Sequence, residues 1–204
     1  MPTVFVNPER CIGCLQCEFA CATEHSASRQ QASAPFEVPT PRKRIHVEAG
    51  ARSGTAFPNK CRHCDPAPCL QVCPTGAIRR DVEHDLVLID ESRCIACAMC
   101  AMVCPFDVIT YYPLAGSGPE RAVAVKCDGC IERLRADRIP ACAEACKVGA
   151  LIFGDVNAIV AAGRQRQSAV VLAATTTEPI QTMPDTIAAW RDLGAATANA
   201  GGSR

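Results

Sequence analysis

The sequence predicts an α+β protein built from two similar units, followed by a helical tail. Three observations carry this. Sixteen cysteines fall into four groups of four. The groups alternate between a compact and a stretched spacing. Short β-rich runs and short helical runs alternate around them. The compact groups are Cys11, Cys14, Cys17, Cys21 and Cys94, Cys97, Cys100, Cys104, both C-x2-C-x2-C-x3-C. The stretched groups are Cys61, Cys64, Cys69, Cys73 and Cys127, Cys130, Cys142, Cys146. The similarity extends beyond cysteine: Ala67-Pro68-Cys69 echoes Pro140-Ala141-Cys142, and Cys73-Pro74-Thr75-Gly76-Ala77-Ile78 aligns with Cys146-Lys147-Val148-Gly149-Ala150-Leu151. Internal self-similarity of this kind signals a repeated structural unit.

Taken in chain order, Thr3–Val6 reads as the first strand, rich in β-branched and aromatic residues. Leu15–His25, after the first triplet, reads as a short helix, and Ile45–Glu48 as a second strand. Leu86–Ile89 and Val108–Tyr111 read as strands on either side of a helix at Ala98–Val103. Val123–Val125 and Leu151–Phe153 are the last strands, with a helix at Ile131–Ala136 between them. Gly76 and Gly149 suit tight turns, since glycine adopts positive φ without strain. Leu114–Glu120, with two glycines and two prolines, reads as a turn. The segment Pro39-Thr40-Pro41-Arg42-Lys43-Arg44 reads as a solvated basic loop, or else as a docking surface for a larger subunit. In the tail, Asp155 stands where it caps a helix over Val156–Gln167. A further helix from about Asp185 to Leu193 puts Ile187, Trp190 and Leu193 on one side. Trp190 either packs the tail or anchors a partner. Ala195–Arg204 has the composition of a disordered end.

The spacing identifies the chemistry. C-x2-C-x2-C wraps three thiolates round one face of a metal–sulfur cubane, and C-x2-C-x2-C-x3-C is the bacterial ferredoxin run, in which the fourth cysteine ligates the other cluster. Sixteen thiolates fill four [4Fe–4S] clusters with none left over, so no iron is open to substrate. Each unit then has the size of a two-cluster ferredoxin. Zinc ribbons also use C-x2-C pairs but do not need the triplets. Disulfides need an oxidising compartment, and MPTVFVNPERC has no secretory leader pattern, so the chain reads as cytoplasmic. Only 4% of residues are aromatic. Metal binding is then expected to supply folding energy that so thin a core lacks.

Other functions find little support. The 21 Lys+Arg balance the 21 Asp+Glu, so nothing draws the whole chain to nucleic acid. The longest apolar run, Ala169–Ala174, is far too short for a membrane span. No nucleophile motif, phosphate loop or dinucleotide fingerprint appears. His63 lies inside the second ligand loop and reads as a hydrogen-bonding or packed residue, because cysteine already fills the quartet. His25, His46 and His84 have no metal-ligand spacing. If each fourth cysteine serves a partner cluster, the groups pair either first with second and third with fourth, or nested, first with fourth and second with third. Spacing does not decide between these.

The second group, C-x2-C-x4-C-x3-C-P, and the fourth, C-x2-C-x11-C-x3-C, in this order resemble the four-cluster iron–sulfur subunits of the dimethyl-sulfoxide-reductase, formate-dehydrogenase and formate-hydrogenlyase families, over about Val4 to Phe153. Cys17-Glu18, Ala20-Cys21-Ala22, His25-Ser26, Pro41-Arg42, Arg44-Ile45-His46-Val47 and Cys61-Arg62-His63-Cys64-Asp65 are most similar to the electron-transfer subunit of carbon monoxide dehydrogenase. The resemblance implies nested pairing: Cys11, Cys14, Cys17 with Cys146; Cys127, Cys130, Cys142 with Cys21; Cys61, Cys64, Cys69 with Cys104; Cys94, Cys97, Cys100 with Cys73. It implies two ferredoxin-like lobes related by a pseudo-two-fold repeat, one from residues 1–60 and 105–154, the other from 61–104, with a helical, partly disordered tail at 155–204. It orders the clusters as first group, fourth, third, second. The implied role is a non-catalytic electron-transfer subunit between a large catalytic subunit and a second partner, such as a hydrogenase, a flavin reductase or a ferredoxin. Lys147 stands where the family usually has proline and brings a positive charge to the first cluster. The absence of the transmembrane anchor carried by some relatives argues against direct delivery to membrane quinone.

Overall fold

The computed structural model describes residues 2–51, 54–114 and 121–175. Of the described residues, those up to 156 gather into one compact unit, and 157–175 belong to a second. Within the first unit, eight short strands pair into four two-stranded antiparallel sheets, joined by short helices and turns.

The first strand, β1 (Pro2–Val6), pairs with the last, β8 (Leu151–Asp155), in the register Val4↔Phe153 and Val6↔Leu151. The two ends of the unit are therefore stitched together. A 3-10 turn at Pro8–Arg10 leads into the first ligand loop, and α1 (Gln16–Glu24) follows. Strands β2 (His46–Ala49) and β3 (Ala56–Asn59) form a hairpin that feeds the second group. Helix α2 (Pro68–Gln71) starts at a proline, whose missing N–H costs nothing at a first helical position. Strands β4 (Ile78–Asp81) and β5 (Leu86–Ile89) make a tight hairpin, and a 3-10 turn at Glu91–Arg93 enters the third group. Next come α3 (Met99–Met102), the hairpin β6 (Thr110–Pro113) with β7 (Ala122–Val125), α4 (Ile131–Arg135) and α5 (Ala141–Ala145).

Most expected elements are present with shifted ends. Two strands were not expected. β3 contains Pro58, which reads as a strand breaker but sits on a two-stranded ribbon with a free edge. β4 is Ile-Arg-Arg-Asp, too polar to read as a strand; Arg80 Nε donates to Asp85 Oδ1 at 2.5 Å across the hairpin. The run Val108–Tyr111 does not pair where expected, since the strand covers Thr110–Pro113. Val108 is 1% exposed and packs with Cys61 and Cys127 instead. Gly76 and Gly149 have φ of +61° and +67°, as their turns require. In the second unit α6 (Val156–Thr175) runs well beyond the expected Gln167. Alanine and other good helix formers continue past that point with no breaker. Trp190, the Asp185–Leu193 helix and most of the Leu114–Glu120 turn lie outside the described residues. No described helix is long and apolar enough to cross a membrane.

Cysteine is a core residue here. Cys17, Cys21 and Cys142 pack with Ile45 and Leu151. Cys94 and Cys100 pack with Ala77, Ile78, Val87 and Val123. A third small cluster joins Cys61, Val108 and Cys127.

Candidate metal centres

Three cavities lie beneath the ligand loops, and each is lined by four cysteines. One gathers Cys61, Cys64, Cys69 and Cys104. The second gathers Cys94, Cys97, Cys100 and Cys73. The third gathers Cys127, Cys130, Cys142 and Cys21. In each case three cysteines come from one group and the fourth from another, the nested arrangement. Of the first group, Cys17 packs in one cluster with Cys146, while Cys11 and Cys14 stand on the loop before α1.

The loops owe their shape to left-handed residues. Gly13 (φ +69°) and Leu15 (φ +61°) bend the first loop, and Ala96 (φ +55°) and Ala98 (φ +64°) bend the third. Alternating handedness turns successive N–H groups to one side, which makes an anion-binding concavity. Backbone amides also reach the ligand sulfurs: Arg44 N–H to Cys21 Sγ at 3.2 Å, Ala124 N–H to Cys94 Sγ at 3.3 Å and Leu151 N–H to Cys146 Sγ at 3.3 Å. His63 and Gly129 N–H each reach the sulfur two residues back, on Cys61 and Cys127, at 3.4 Å. The Tyr111 hydroxyl lies 3.3 Å from Cys100 Sγ. Four cysteines gathered in one pocket, with N–H donors to their sulfurs, suit a multi-iron core. Burial pushes the Cys17 thiol up to about 11 and the Cys130 thiol up to about 12. Cys142 and Cys127 are raised by the same cause, with Lys60 acting in the opposite sense on both. On Cys69, burial raises and Lys126 opposes. Ionising such thiols calls for a compensating cation, and bound metal is one.

A polar network braces the fourth loop. Asp128 accepts from Arg44 Nη1 at 2.8 Å, His25 Nε2 at 3.1 Å and the Cys130 N–H at 2.9 Å. Burial alone raises the Asp128 carboxyl, but His25, Arg44 and the Cys130 amide together hold it well below the usual carboxylate range. The other ring nitrogen of His25 bonds the Cys21 carbonyl at 2.7 Å. His25, Asp128 and Cys130 bring ligand atoms within 4.8 Å of one another, yet His25 and Asp128 are both committed to this network. On the other side, buried Arg133 joins Glu24 at 2.9 Å, the Ile139 carbonyl at 2.7 Å and Glu144. His25 and Arg44 stood in stretches that carry the family resemblance, but Asp128, Arg133, Glu24 and Glu144 carried no motif. Only their tertiary partners reveal them.

His63 is buried, and its Nδ1 accepts the Val87 N–H at 3.1 Å, so it acts as a hydrogen-bonding residue. Burial, with Lys126 and Lys60 nearby, lowers its pKa to about 3. It lines both the second-group and the fourth-group cavities. This corrects the expected order of the centres. The neighbour of the fourth-group site is the second-group site, with Cys61 and Cys127 in one buried cluster, and not the third. Cys69 and Cys100 share another cluster, so the third-group site lies beyond the second. The packing sets the cysteine groups in the order first, fourth, second, third. Of all the cysteines only Cys14 and Cys97 are exposed, one in each terminal site. Exposed Ile12, Leu15 and Phe19 surround the first, and Ile95, Met99 and Met102 the second.

Residues 53–156 match the family model described as a 4Fe-4S dicluster domain. The chain is 36% identical over 174 residues to an iron-sulfur protein of Rhodospirillum rubrum, covering 81% of this chain and 88% of that one. It is 36% identical over 179 residues to the electron transport protein HydN of Escherichia coli K12, covering 82% and 97%. Against the thiosulfate reductase electron transfer subunit PhsB of Salmonella typhi it is 38% identical over 155 residues, 74% of each chain. Pockets that each gather four cysteines and these similarities agree: the chain belongs to the ferredoxin-like, 4Fe-4S dicluster family of iron–sulfur electron-transfer proteins.

Proposed function

We propose that the chain is a non-catalytic electron-transfer subunit with four [4Fe–4S] sites in two ferredoxin-like lobes related by a pseudo-two-fold repeat. The ligand sets are Cys11, Cys14, Cys17, Cys146; Cys127, Cys130, Cys142, Cys21; Cys61, Cys64, Cys69, Cys104; and Cys94, Cys97, Cys100, Cys73. The observation that carries this reading is that three cavities are each lined by one such quartet, with its fourth cysteine drawn from a distant group. Each bound cluster supplies a one-electron redox couple. The protein's part is to hold the four sites in a row, to supply N–H donors to sulfur, and to keep water out of the middle two. All ligands being cysteine, no site is left open for substrate. The two ends, at Cys14 and Cys97, are the exposed ones and carry apolar rims suited to docking. The first-group end faces a large catalytic subunit, and the third-group end faces the second partner, such as a hydrogenase, a flavin reductase or a ferredoxin.

Anaerobic analysis is expected to give sixteen irons and sixteen labile sulfides per chain, one set of four for each cysteine quartet. About eight irons with zinc making up the difference overturns the count of four, and a colourless zinc protein overturns the class. For the catalytic partner we propose a carbon monoxide dehydrogenase, on the sequence resemblance at Cys17–Ser26, Pro41–Val47 and Cys61–Asp65. CO-reduced dehydrogenase mixed with this chain should bleach its visible absorption in stopped flow. Bleaching by a formate or aldehyde oxidoreductase, a hydrogenase or a thiosulfate reductase in its place reassigns the partner and leaves the relay intact.

A further inference from the structure

The junction between the fourth-group and second-group cavities holds two buried lysines. Lys60 and Lys126 are each 4% exposed. Each immediately precedes the first cysteine of a stretched group, Cys61 or Cys127. The Lys60 ammonium donates to the Cys61 carbonyl at 3.3 Å. The Lys126 ammonium donates to the Cys127 carbonyl at 3.1 Å and to the Val87 carbonyl. Among the described residues neither ammonium forms an ion pair with a carboxylate. A buried charge without a counter-charge is costly, so two of them side by side call for an anion.

Their placement is crossed. Lys60 lines the cavity of Cys127, Cys130, Cys142 and Cys21, not that of its neighbour Cys61. Lys126 lines the cavity of Cys61, Cys64, Cys69 and Cys104, not that of its neighbour Cys127. His63 lies between them and lines both cavities. Its Nδ1 accepts the Val87 N–H, which assigns the ring proton to Nε2, and Nε2 is buried with no partner. Three donors therefore converge where the two central sites meet.

We infer that Lys60 and Lys126 are exchanged counter-charges, each set against the iron–sulfur site of the other group, and that they raise the potentials of the two central sites. The inference rests on the proposed occupancy of those cavities. Four thiolates round an iron–sulfur core carry net negative charge, and reduction adds one more. A fixed ammonium at the wall stabilises the reduced form more than the oxidised one, so the midpoint rises. Exchange across the junction also ties the loops of the two central sites together at the point electrons must cross.

The test is an EPR-monitored redox titration of the whole, iron-replete protein carrying Lys60→Met or Lys126→Met. Cys130→Ser and Cys64→Ser identify the fourth-group and second-group signals. Lys60→Met is expected to lower the fourth-group midpoint, and Lys126→Met the second-group midpoint. The expected shift is a tenfold change in the reduced-to-oxidised ratio at the native midpoint, about 59 mV for one electron. Lys60→Arg and Lys126→Arg should stay near native. Shifts confined to the sequence-adjacent site, or no shift in either variant at native iron content, overturn the inference and spare the relay. Native protein without iron overturns the reading of the sites and the inference with it. Should the methionine variants lose iron, pulsed EPR on native protein and the two arginine variants, all grown with 15N-lysine, decides the matter. Coupling lost from the fourth-group site in Lys60→Arg and from the second-group site in Lys126→Arg supports the exchange; loss from the sequence-adjacent site instead, or no coupling at either site, overturns it.

Discussion

The loop at residues 11–17 and its counterpart at 94–100 have nearly the same backbone but are closed in different ways. Both follow a 3-10 turn, Pro8–Arg10 or Glu91–Arg93. Both place left-handed residues at matching positions, Gly13 and Leu15 in one, Ala96 and Ala98 in the other. In both, the arginine closing the turn lies over a glycine of the partner segment. A Cβ on Gly149 would meet Arg10 Nη1 at 3.0 Å, and one on Gly76 would meet Arg93 Nη2 at 3.3 Å. The difference lies in the chain that completes each site. The 94–100 loop leans on the hairpin of β4 and β5, neighbours in sequence. The 11–17 loop is completed by β8, from the far end of the unit. The ligand spacing dictates the loop, and the rest of the chain only has to deliver the fourth cysteine.

Breaking that delivery has the largest expected effect. Cys146→Ser and Cys73→Ser each remove the distant member of one quartet. Iron should fall from sixteen to about twelve in each, scaled to the quartets lost. EPR should show Cys146→Ser sparing the signals of the Cys61 and Cys94 sites, and Cys73→Ser sparing those of the Cys11 and Cys127 sites. The opposite pattern would reject the nested sets.

Stability should separate the two closures next. Leu151 is 3% exposed and packs against Cys17, Cys21 and Cys142. Leu151→Ala should cost about 2–5 kcal/mol in denaturant unfolding, as for other buried leucines. The effect should be read first at the Cys11 site, because β8 is what brings Cys146 to it. Loss of the Cys94 signal ahead of the Cys11 signal would show that β8 is not what completes the first loop.

Asp128→Asn tests a brace that the 94–100 side does not share. It leaves Arg44 and His25 facing a neutral amide. The expected loss is on the order of 2 kcal/mol, from a buried charged hydrogen bond left half-made. Chemical denaturation of iron-replete protein measures it, and an unchanged midpoint would show the network to be ornamental.

The smallest effect concerns the loops themselves. Ala96 sits where Gly13 sits, at positive φ. A non-glycine residue there carries roughly 1 kcal/mol of strain. Ala96→Gly should therefore stabilise by about 0.5–1 kcal/mol, and Gly13→Ala should destabilise by a similar amount. Thermal unfolding of the two variants should move in opposite directions.

Much of this was written in the sequence. The four cysteine groups, their ligand loops and the helices after each compact triplet follow from short-range spacing, because a loop of two residues between thiolates has few conformations. The Ala67-Pro68-Cys69 and Pro140-Ala141-Cys142 echo marked a repeat, and it falls at the starts of α2 and α5, two helices not expected from the sequence. Strand β4 escaped because its charged residues are satisfied across the hairpin, a partnership that composition does not report.

What the sequence by itself determined is four groups of four cysteines, a core short of aromatics, and membership of a family of iron–sulfur electron-transfer proteins. Tertiary structure alone decided the neighbours. Spacing left nested and consecutive pairings equal, and the antiparallel match of β1 with β8 is what carries Cys146 to Cys17. The order first, fourth, second, third comes from Val108 packing between Cys61 and Cys127, a contact between residues far apart in the chain. The exchange of Lys60 and Lys126 has the same origin. Each lysine's sequence neighbour lines one cavity, while the lysine itself lines the other.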